Sequence, residues 1–163
     1  MNGHVKDLIE HLALLSHPEG GFYRETYRAA GSVPFEGGTR SWCTGIYFLL
    51  TAEHVSHLHR IRQDEMWHFY AGDGLTVHEL LPDGSYQRTA IGTDFAEGQV
   101  PQHVVPAGHW FGATVDAPDG YALVGCTVSP GFDFQDFELA EREEMLRQFP
   151  QHEEIIRRLT VAR

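Results

Sequence analysis

The chain has 163 residues and a mass of 18.4 kDa, the size of one domain that can bury a core without disulfides or a metal. Its formal net charge is -11 and its Lys and Arg residues form no cluster, which argues against a surface for nucleic acid or for an anionic membrane. No apolar run approaches the ~20 residues of a membrane span and the N-terminus lacks a secretory signal, so we expect a cytoplasmic protein.

The first third of the chain is predicted to hold a helix, an extended segment and a core strand. Apolar side chains at helical spacing predict an amphipathic helix at residues 5–15, and Pro18 ends it. A glycine pair then leads into an extended segment at residues 22–27. Residues 31–39 are predicted to be a mobile loop, and residues 41–50 are apolar on both faces, as in the central strand of a sandwich or barrel.

The middle of the chain carries the residues that are best suited to chemistry. His57 and His59 are two positions apart, so on a strand both imidazoles project to the same face. Glu65 begins a second alternating run, in which Glu65, Trp67 and Phe69 share one face. Two strands meeting here would place a carboxylate beside two imidazoles, a set suited either to holding a divalent metal or to passing a proton.

Short strand-like segments, broken by turn residues, follow at the spacing of about 8 to 12 residues that is typical of a sandwich or barrel. Helical patterns then close the chain, after an aromatic segment around Phe132 that we expect to pack in the core. Cys43 and Cys126 lie in apolar runs, which predicts buried free thiols. The strands are predicted at residues 75–81, 86–91, 102–105, 110–114 and 121–128, and the helices at 138–149 and 153–159.

The spacing of His57, His59 and Glu65 resembles the first sequence motif of the cupins, in which two His, a Glu and a later His bind a metal inside a small β-barrel. Five residues separate His59 from Glu65, where the motif usually has three or four. The second cupin motif, Pro-x-Gly-x-x-His, is matched by Pro106 and Gly108, but Phe111 stands at its His position. The third imidazole ligand of a cupin metal site is therefore missing from this motif.

Four segments, at residues 17–25, 56–72, 105–108 and 128–132, closely match small uncharacterised cupins that were formerly grouped as a domain of unknown function. This resemblance implies an all-β fold, a double-stranded β-helix barrel of jelly-roll type with short N- and C-terminal helices. It implies one cupin domain over residues 1–163, with the barrel core at about 22–129 and a helical tail at about 136–160. It also implies a homodimer, with nucleotide-sugar epimerases among the structural relatives, but it brings no established substrate.

We predict that the barrel pocket binds or transforms a small polar metabolite, of sugar or nucleotide-sugar type, by acid–base chemistry. His59 and Glu65 are the candidate catalytic pair, because an unpartnered buried carboxylate costs on the order of several kcal/mol. Tyr47 in the central strand is a further candidate acid. The segment at residues 20–25 is expected to close the pocket. The candidate ligand-binding residues are Arg24, Tyr23, Trp67, Phe69 and Phe111.

Two other classes of function stay open at this point. A metal-dependent cupin oxygenase or isomerase would use His57, His59 and Glu65 as ligands to Zn, Ni, Fe or Mn. A non-catalytic ligand-binding or assembly protein would bind sugars or nucleotide sugars without turnover. The remaining histidines of the barrel are predicted to be surface or edge residues, namely His68, His78, His103 and His109.

Overall fold

The structure is a computed structural model that describes residues 2–162. Its three α-helices are α1 (Gly3–His11), α2 (Arg142–Gln148) and α3 (Glu153–Arg158). Within the described residues thirteen strands form the rest of the regular structure. They are β1 (Leu15–Ser16), β2 (Phe22–Arg28), β3 (Ser32–Phe35), β4 (Gly38–Ser41), β5 (Thr44–Thr51), β6 (Ser56–Arg60), β7 (Asp64–Gly72), β8 (Leu75–Leu80), β9 (Tyr86–Ile91), β10 (Gln102–Val105), β11 (Trp110–Thr114), β12 (Tyr121–Ser129) and β13 (Glu138–Leu139).

The strands form two antiparallel sheets and one separate hairpin. The larger sheet has the order β1-β2-β5-β12-β7-β10, and the smaller has the order β13-β6-β11-β8-β9. Strands β6 and β7 follow each other in the chain but lie in different sheets, so the short turn between them carries the chain across the barrel. This all-β barrel with short terminal helices confirms the fold class that the sequence predicts.

The core lies between the two sheets, and the helices bury the outer faces. Trp67, Phe48 and Phe111 are the largest fully buried side chains of the interior. Helices α2 and α3 pack on the outer face of the smaller sheet, because apolar side chains such as Met145 and Ile156 meet Leu80 there. Helix α1 covers part of the larger sheet in the same way. Each helix therefore buries one apolar stripe against a sheet.

Three predicted boundaries are wrong, each for a local reason. Helix α1 ends at His11 and not near residue 15, because Ala13 adopts a positive φ of 54° and the next residues pair as strand β1. The stretch at residues 31–39 is not a mobile loop, since β3 and β4 pair there as a hairpin. Helix α2 begins at Arg142 and not at residue 138, because Glu138 and Leu139 pair with strand β6 as β13.

A buried ion pair fixes the aromatic segment that follows β12. The Arg40 guanidinium donates to both carboxylate oxygens of Asp136, at 2.7 and 2.8 Å, and the Gln63 amide donates to the same carboxylate at 2.8 Å. The Arg40 and Asp136 side chains are 6% and 0% exposed. Gln63 also donates to the backbone carbonyl of Gly131. Residues 131–136 are therefore anchored to the barrel by a satisfied polar network.

Replacing Asp136→Asn is expected to lower the free energy of unfolding by about 3 to 5 kcal/mol, because it leaves the Arg40 charge buried without its partner. Glu138→Gln is the matched control, since its pair with Arg60 is about half exposed and worth about 1 kcal/mol or less. Urea denaturation of both variants measures the difference. Equal losses in the two variants would contradict the anchoring assigned to Asp136.

Candidate functional site

A cavity of about 410 Å³ opens between the two sheets. One wall is the larger sheet, which contributes Ile46, Glu65 and Cys126, and His59 comes from the smaller sheet. The loop between β1 and β2 and the aromatic segment after β12 complete the lining. The other lining residues are His17, Glu19, Tyr23, Glu25, Arg28, Ile61, Val128, Phe132, Asp133, Phe134 and Phe137.

A buried ion pair between Glu19 and His59 forms one side of this cavity. Nε2 of His59 lies 2.6 Å from Oε2 of Glu19, and both side chains are less than one-tenth exposed. Nδ1 of His59 is directed at the carbonyl oxygen of His57, 2.7 Å away, whereas the contact of Nε2 with Oε2 of Glu19 has the distance of an ion pair without the geometry of a hydrogen bond. That arrangement suits an imidazolium, in which both nitrogens carry a proton.

The pKa shifts of this pair agree with its geometry. Burial lowers the pKa of His59, but the charge of Glu19 and its close contact with the ring outweigh burial and raise that pKa above its ordinary value. Burial raises the pKa of Glu19, and the charge of His59 together with the same contact lowers it overall. Glu19 is therefore held as a carboxylate and His59 as a cation.

The loop that carries Glu19 is fixed by the backbone of β6. The backbone N–H of His57 and Nδ1 of its ring each lie 2.7 Å from the carbonyl oxygen of Glu19. The next residue, Gly20, has a φ of 111°, and a Cβ added there would lie 2.1 Å from the carbonyl oxygen of Val55. Only glycine fits this conformation and this close approach. His57 and Gly20 thus place the Glu19 side chain against His59.

Glu65 faces the same cavity, but its carboxyl group is protonated whereas that of Glu19 is ionised. Burial raises the pKa of Glu65 to about 8; the charge of His59 opposes this shift, and that of Glu19 adds to it. No described residue makes a hydrogen bond to its carboxyl group. At neutral pH the inner end of the cavity therefore pairs an ionised carboxylate, Glu19, with a neutral carboxylic acid, Glu65. Environments that push two pKa values apart in this way set up an acid and a base.

His17 completes the inner end of the cavity as a neutral group. Its Nδ1 accepts the backbone N–H of Glu19 at 3.1 Å. Burial lowers the pKa of His17, and His59 lowers it further against the opposing effect of Glu19. Its ring meets that of Tyr23 edge to face, with 4.6 Å between the centroids. His17 therefore supports the backbone of Glu19 and leaves Nε2 as its N–H donor.

The structure brings only part of the predicted site to the cavity. His59, Glu65 and Tyr23 line it. Phe111 packs against the His59 ring, with 4.1 Å between the ring centroids, and supports that ring from the core. Trp67 is 2% exposed in the same core.

Three predicted site residues lie away from the lining. Phe69 is half-buried against the core. Tyr47 lies on the outer side of β5, where it packs with the cluster under α1. Arg24 is exposed, donates to the carbonyl oxygen of Leu12 at 3.0 Å and lies over the Tyr47 ring. The structure does not place these side chains around one ligand.

The predicted metal ligands do not assemble as a metal site. Within residues 2–162, no group of three His, Cys, Asp or Glu side chains is arranged to hold a metal ion. The His57 ring is turned to the Glu19 carbonyl, and Phe111 occupies the position of the missing imidazole. The donor set therefore does not fit a cupin metal centre.

Sequence reasoning missed Glu19 and His17, which are central to the cavity. The available signal was the segment at residues 17–25, where a His, a Glu and two glycines stand together. The pattern predicts a tight backbone there, but it does not indicate that Glu19 pairs with a histidine forty positions later.

The prediction that four further histidines lie at the surface or edge is wrong for His78. It is 4% exposed and lies between the hydroxyls of Tyr86 and Thr114. His103 and His109 flank the fully buried carboxylate of Glu79, at 2.7 and 2.8 Å. Their rings join the two sheets near β9 and β10, a contact between strands that the sequence pattern does not show.

Comparison with known proteins places the chain in a family. The family model for the cupin superfamily known as DUF985 matches residues 6–140. The chain belongs to this family. The cupin is 32% identical to the uncharacterized protein YML079W of Saccharomyces cerevisiae over 159 residues, which are 88% of this chain and 78% of the yeast protein. No helix in residues 2–162 combines the length and the apolar character that a membrane span requires.

Solved structures agree with the assignment. A hypothetical protein from Leishmania major is 39% identical, with a TM-score of 0.91 and coverage of 96% of this cupin and 98% of that chain. Protein SO0799 from Shewanella oneidensis is 43% identical, with a TM-score of 0.90 and coverage of 100% and 99%. Oxalate decarboxylase of Bacillus subtilis shares the fold at 14% identity and a TM-score of 0.56, over 88% of this cupin and 36% of that chain.

Glu65→Gln is expected to change how the stability of this cupin depends on pH. The folded state holds the Glu65 proton up to a pKa of about 8, against an ordinary value of 4.5, so this group weakens the fold as pH rises through that window. The loss is at most about 1.4 kcal/mol per pH unit, and the Gln variant lacks it. Relative to wild type, Glu65→Gln should therefore gain stability as pH rises.

Urea denaturation at a series of pH values measures this difference. The exposed Glu97→Gln serves as the control and should follow the wild-type pH dependence. A constant difference between Glu65→Gln and wild type across the window would contradict the raised pKa.

Proposed function

We propose that the cavity binds a small polar metabolite of sugar type and transforms it by proton transfer. One observation carries this proposal: a neutral carboxylic acid, Glu65, and an ionised carboxylate, Glu19, face the same 410 Å³ cavity. The cavity volume lies within the range of about 300 to 1,000 Å³ that is usual for small-molecule sites. Isomerases that work next to a carbonyl need such an acid and such a base.

Glu65 acts as the general acid in this mechanism. Its protonated carboxyl donates to a carbonyl or ring oxygen of the ligand, which stabilises the negative charge that develops there. Its free hydrogen-bonding capacity supports this assignment, because no described residue competes for the proton. The sequence-based candidate acid, Tyr47, lies on the outer side of β5 and has no part in the proposed step.

Glu19 acts as the general base, and His59 is the positioning residue that keeps it ionised. Glu19 takes a proton from the carbon next to the ligand carbonyl while Glu65 protonates the oxygen, which gives an enediol. The neighbouring carbon then takes the proton back from Glu19, or the other face of the same carbon takes one from water to which Glu19 gives its own. In either case the Glu65 carboxylate recovers a proton from an enediol hydroxyl, so that the carbonyl forms again and the isomerisation or epimerisation is complete. Nδ1 of His59 is bonded to the carbonyl oxygen of His57 and Nε2 lies against the Glu19 carboxylate, so in this mechanism His59 itself does not take the substrate proton.

Two expectations from the sequence stay predictions beside this proposal. A structurally similar oxalate decarboxylase from Bacillus subtilis is described with Mn(II) centres, but at 15% identity it shares only the fold with this chain. A divalent metal here would need a donor set that the described residues do not form. The homodimer that the family resemblance implies stays a prediction as well.

Proton exchange with solvent tests the proposed function. Aldoses, ketoses and nucleotide sugars are incubated with the protein in D₂O, and loss of a C–H signal next to the carbonyl is followed by ¹H NMR. We expect exchange with at least one sugar, and a loss of about a hundredfold or more in Glu65→Gln and in Glu19→Gln. The control is Glu138→Gln, which lies outside the cavity.

The pH profile separates a positioning residue from a structural one. In His59→Gln the carboxylate of Glu19 loses its cation, so the rise of the exchange rate with pH should move to higher pH. A sugar that binds in the cavity without any exchange would support a binding protein and overturn the proposal. So would exchange that survives in both the Glu65 and the Glu19 variants.

A further inference from the structure

We infer that the cavity selects an uncharged ligand and rejects phosphorylated ones, nucleotide diphosphate sugars included. This inference rests on the proposed function in one respect, that the cavity is the ligand site. The family resemblance in the sequence implies nucleotide-sugar epimerases among the structural relatives, which suggests a substrate of sugar or nucleotide-sugar type. The inference narrows this class to uncharged sugars. The observations that support it are the charges that line the cavity and the contacts of its single arginine.

The lining carries more negative than positive charge. Its carboxylates are Glu19, Glu25 and Asp133, and its cations are Arg28 and the His59 imidazolium. Glu19 and His59 neutralise each other at the inner end of the cavity. A dianionic or trianionic ligand would enter between carboxylates with little to offset their repulsion, whereas an uncharged ligand meets no such penalty.

Among residues 2–162, Arg28 is the one arginine or lysine of the lining, and it is already bound. Its Nε and one Nη donate to the two carboxylate oxygens of Glu25, at 3.2 and 2.6 Å. The same Nη also donates to the carbonyl oxygen of Phe132 at 3.0 Å. A phosphate at the mouth would compete with a bidentate carboxylate for the guanidinium. Glu25 is therefore the residue that excludes anions.

No other arginine nearby can serve as a phosphate ligand from within the lining. Arg24 is exposed on the outer side of β2, over Tyr47, and Arg40 is bound to the buried Asp136. Sites for diphosphates usually combine cations with backbone N–H groups at a helix N-terminus or a glycine-rich loop.

The remaining walls suit an uncharged ring. Phe132, Phe134 and Phe137 lie edge to face with one another, with ring centroids 4.9 to 6.4 Å apart. Aromatic faces bury the C–H surface of a sugar or of another small ring, while Glu65 provides the polar contact that orients it. The cavity thus combines aromatic walls and the Arg28–Glu25 pair at its mouth with a polar inner end.

The thiol of Cys126, which lines the cavity, allows a test that does not depend on the ligand's identity. Three methanethiosulfonates of similar size are compared, with an uncharged hydroxyethyl, an anionic sulfonatoethyl or a cationic trimethylammonioethyl group. The thiolate attacks the sulfenyl sulfur, a mixed disulfide forms and methanesulfinate leaves. The protein carries Cys43→Ser, so that Cys126 is its one remaining cysteine. Each reagent's rate with the protein is divided by its rate with free 2-mercaptoethanol, which removes differences in intrinsic reactivity between the reagents. Phe134→Cys in a Cys43→Ser, Cys126→Ser background repeats the test at the mouth.

We expect the anionic reagent to react about tenfold more slowly than the uncharged one at both positions. Glu25→Gln should raise the anionic rate severalfold and leave the uncharged rate unchanged. The Glu25→Gln variant should also bind inorganic pyrophosphate, as measured by calorimetry. The double variant Glu25→Gln, Arg28→Gln should lose that binding.

Two results would overturn the inference: an anionic reagent that reacts as fast as the uncharged one, or pyrophosphate that binds wild type and is lost in Arg28→Gln. Either result leaves the proton-exchange test of Glu19 and Glu65 untouched, so the two proposals fail separately. Burial and the charges of Glu65 and Glu19 raise the pKa of the Cys126 thiol well above its ordinary value, so if Cys126 reacts slowly with all three reagents the rates at Phe134→Cys decide the comparison.

Discussion

The ion pair between Glu19 and His59 is the interaction on which the rest of the site depends. A buried carboxylate and a buried imidazolium each carry a large desolvation penalty, and they stay charged because they lie 2.6 Å apart and because a backbone carbonyl takes the second imidazole proton. The same pair sets the electrostatics of the cavity. Glu65 meets a neutralised pair rather than a free cation, so burial dominates and its carboxyl stays protonated.

The fold supports this pair through backbone contacts. The position of His57 is that of a metal ligand in the cupin motif. Here its backbone N–H and its ring Nδ1 both contact the carbonyl oxygen of Glu19. Gly20 permits the close approach that brings the loop to β6. On the other side Phe111 and Phe137 pack against the His59 ring, so its orientation is fixed by neighbours that offer no alternative hydrogen bond. A barrel motif associated with metals here carries His59, paired with a carboxylate from a loop outside the motif, and Glu65, whose burial raises its pKa to about 8.

Much of the fold could be predicted from the sequence, since the segments that form strands β8 to β12 are short, strand-like and separated by turn residues. The pattern also predicts His59 and Glu65, which share an inward face across two strands. Tyr47 was harder to place, because α1 covers the outer face of β5 and both faces of that strand are apolar. Glu19 could not be predicted, because its partner is forty residues away and no periodic pattern encodes contact between a loop and a strand.

The most direct test of the account is the protonation state of His59, measured by ¹⁵N NMR of its ring nitrogens in selectively labelled protein. The account predicts that both nitrogens carry a proton at neutral pH and still do so at pH values above the ordinary pKa of histidine. In Glu19→Gln the ring should lose the second proton at lower pH than in wild type. A neutral ring at pH 7, protonated only at Nδ1, would contradict it, because Glu19 would then have no cation to keep it ionised.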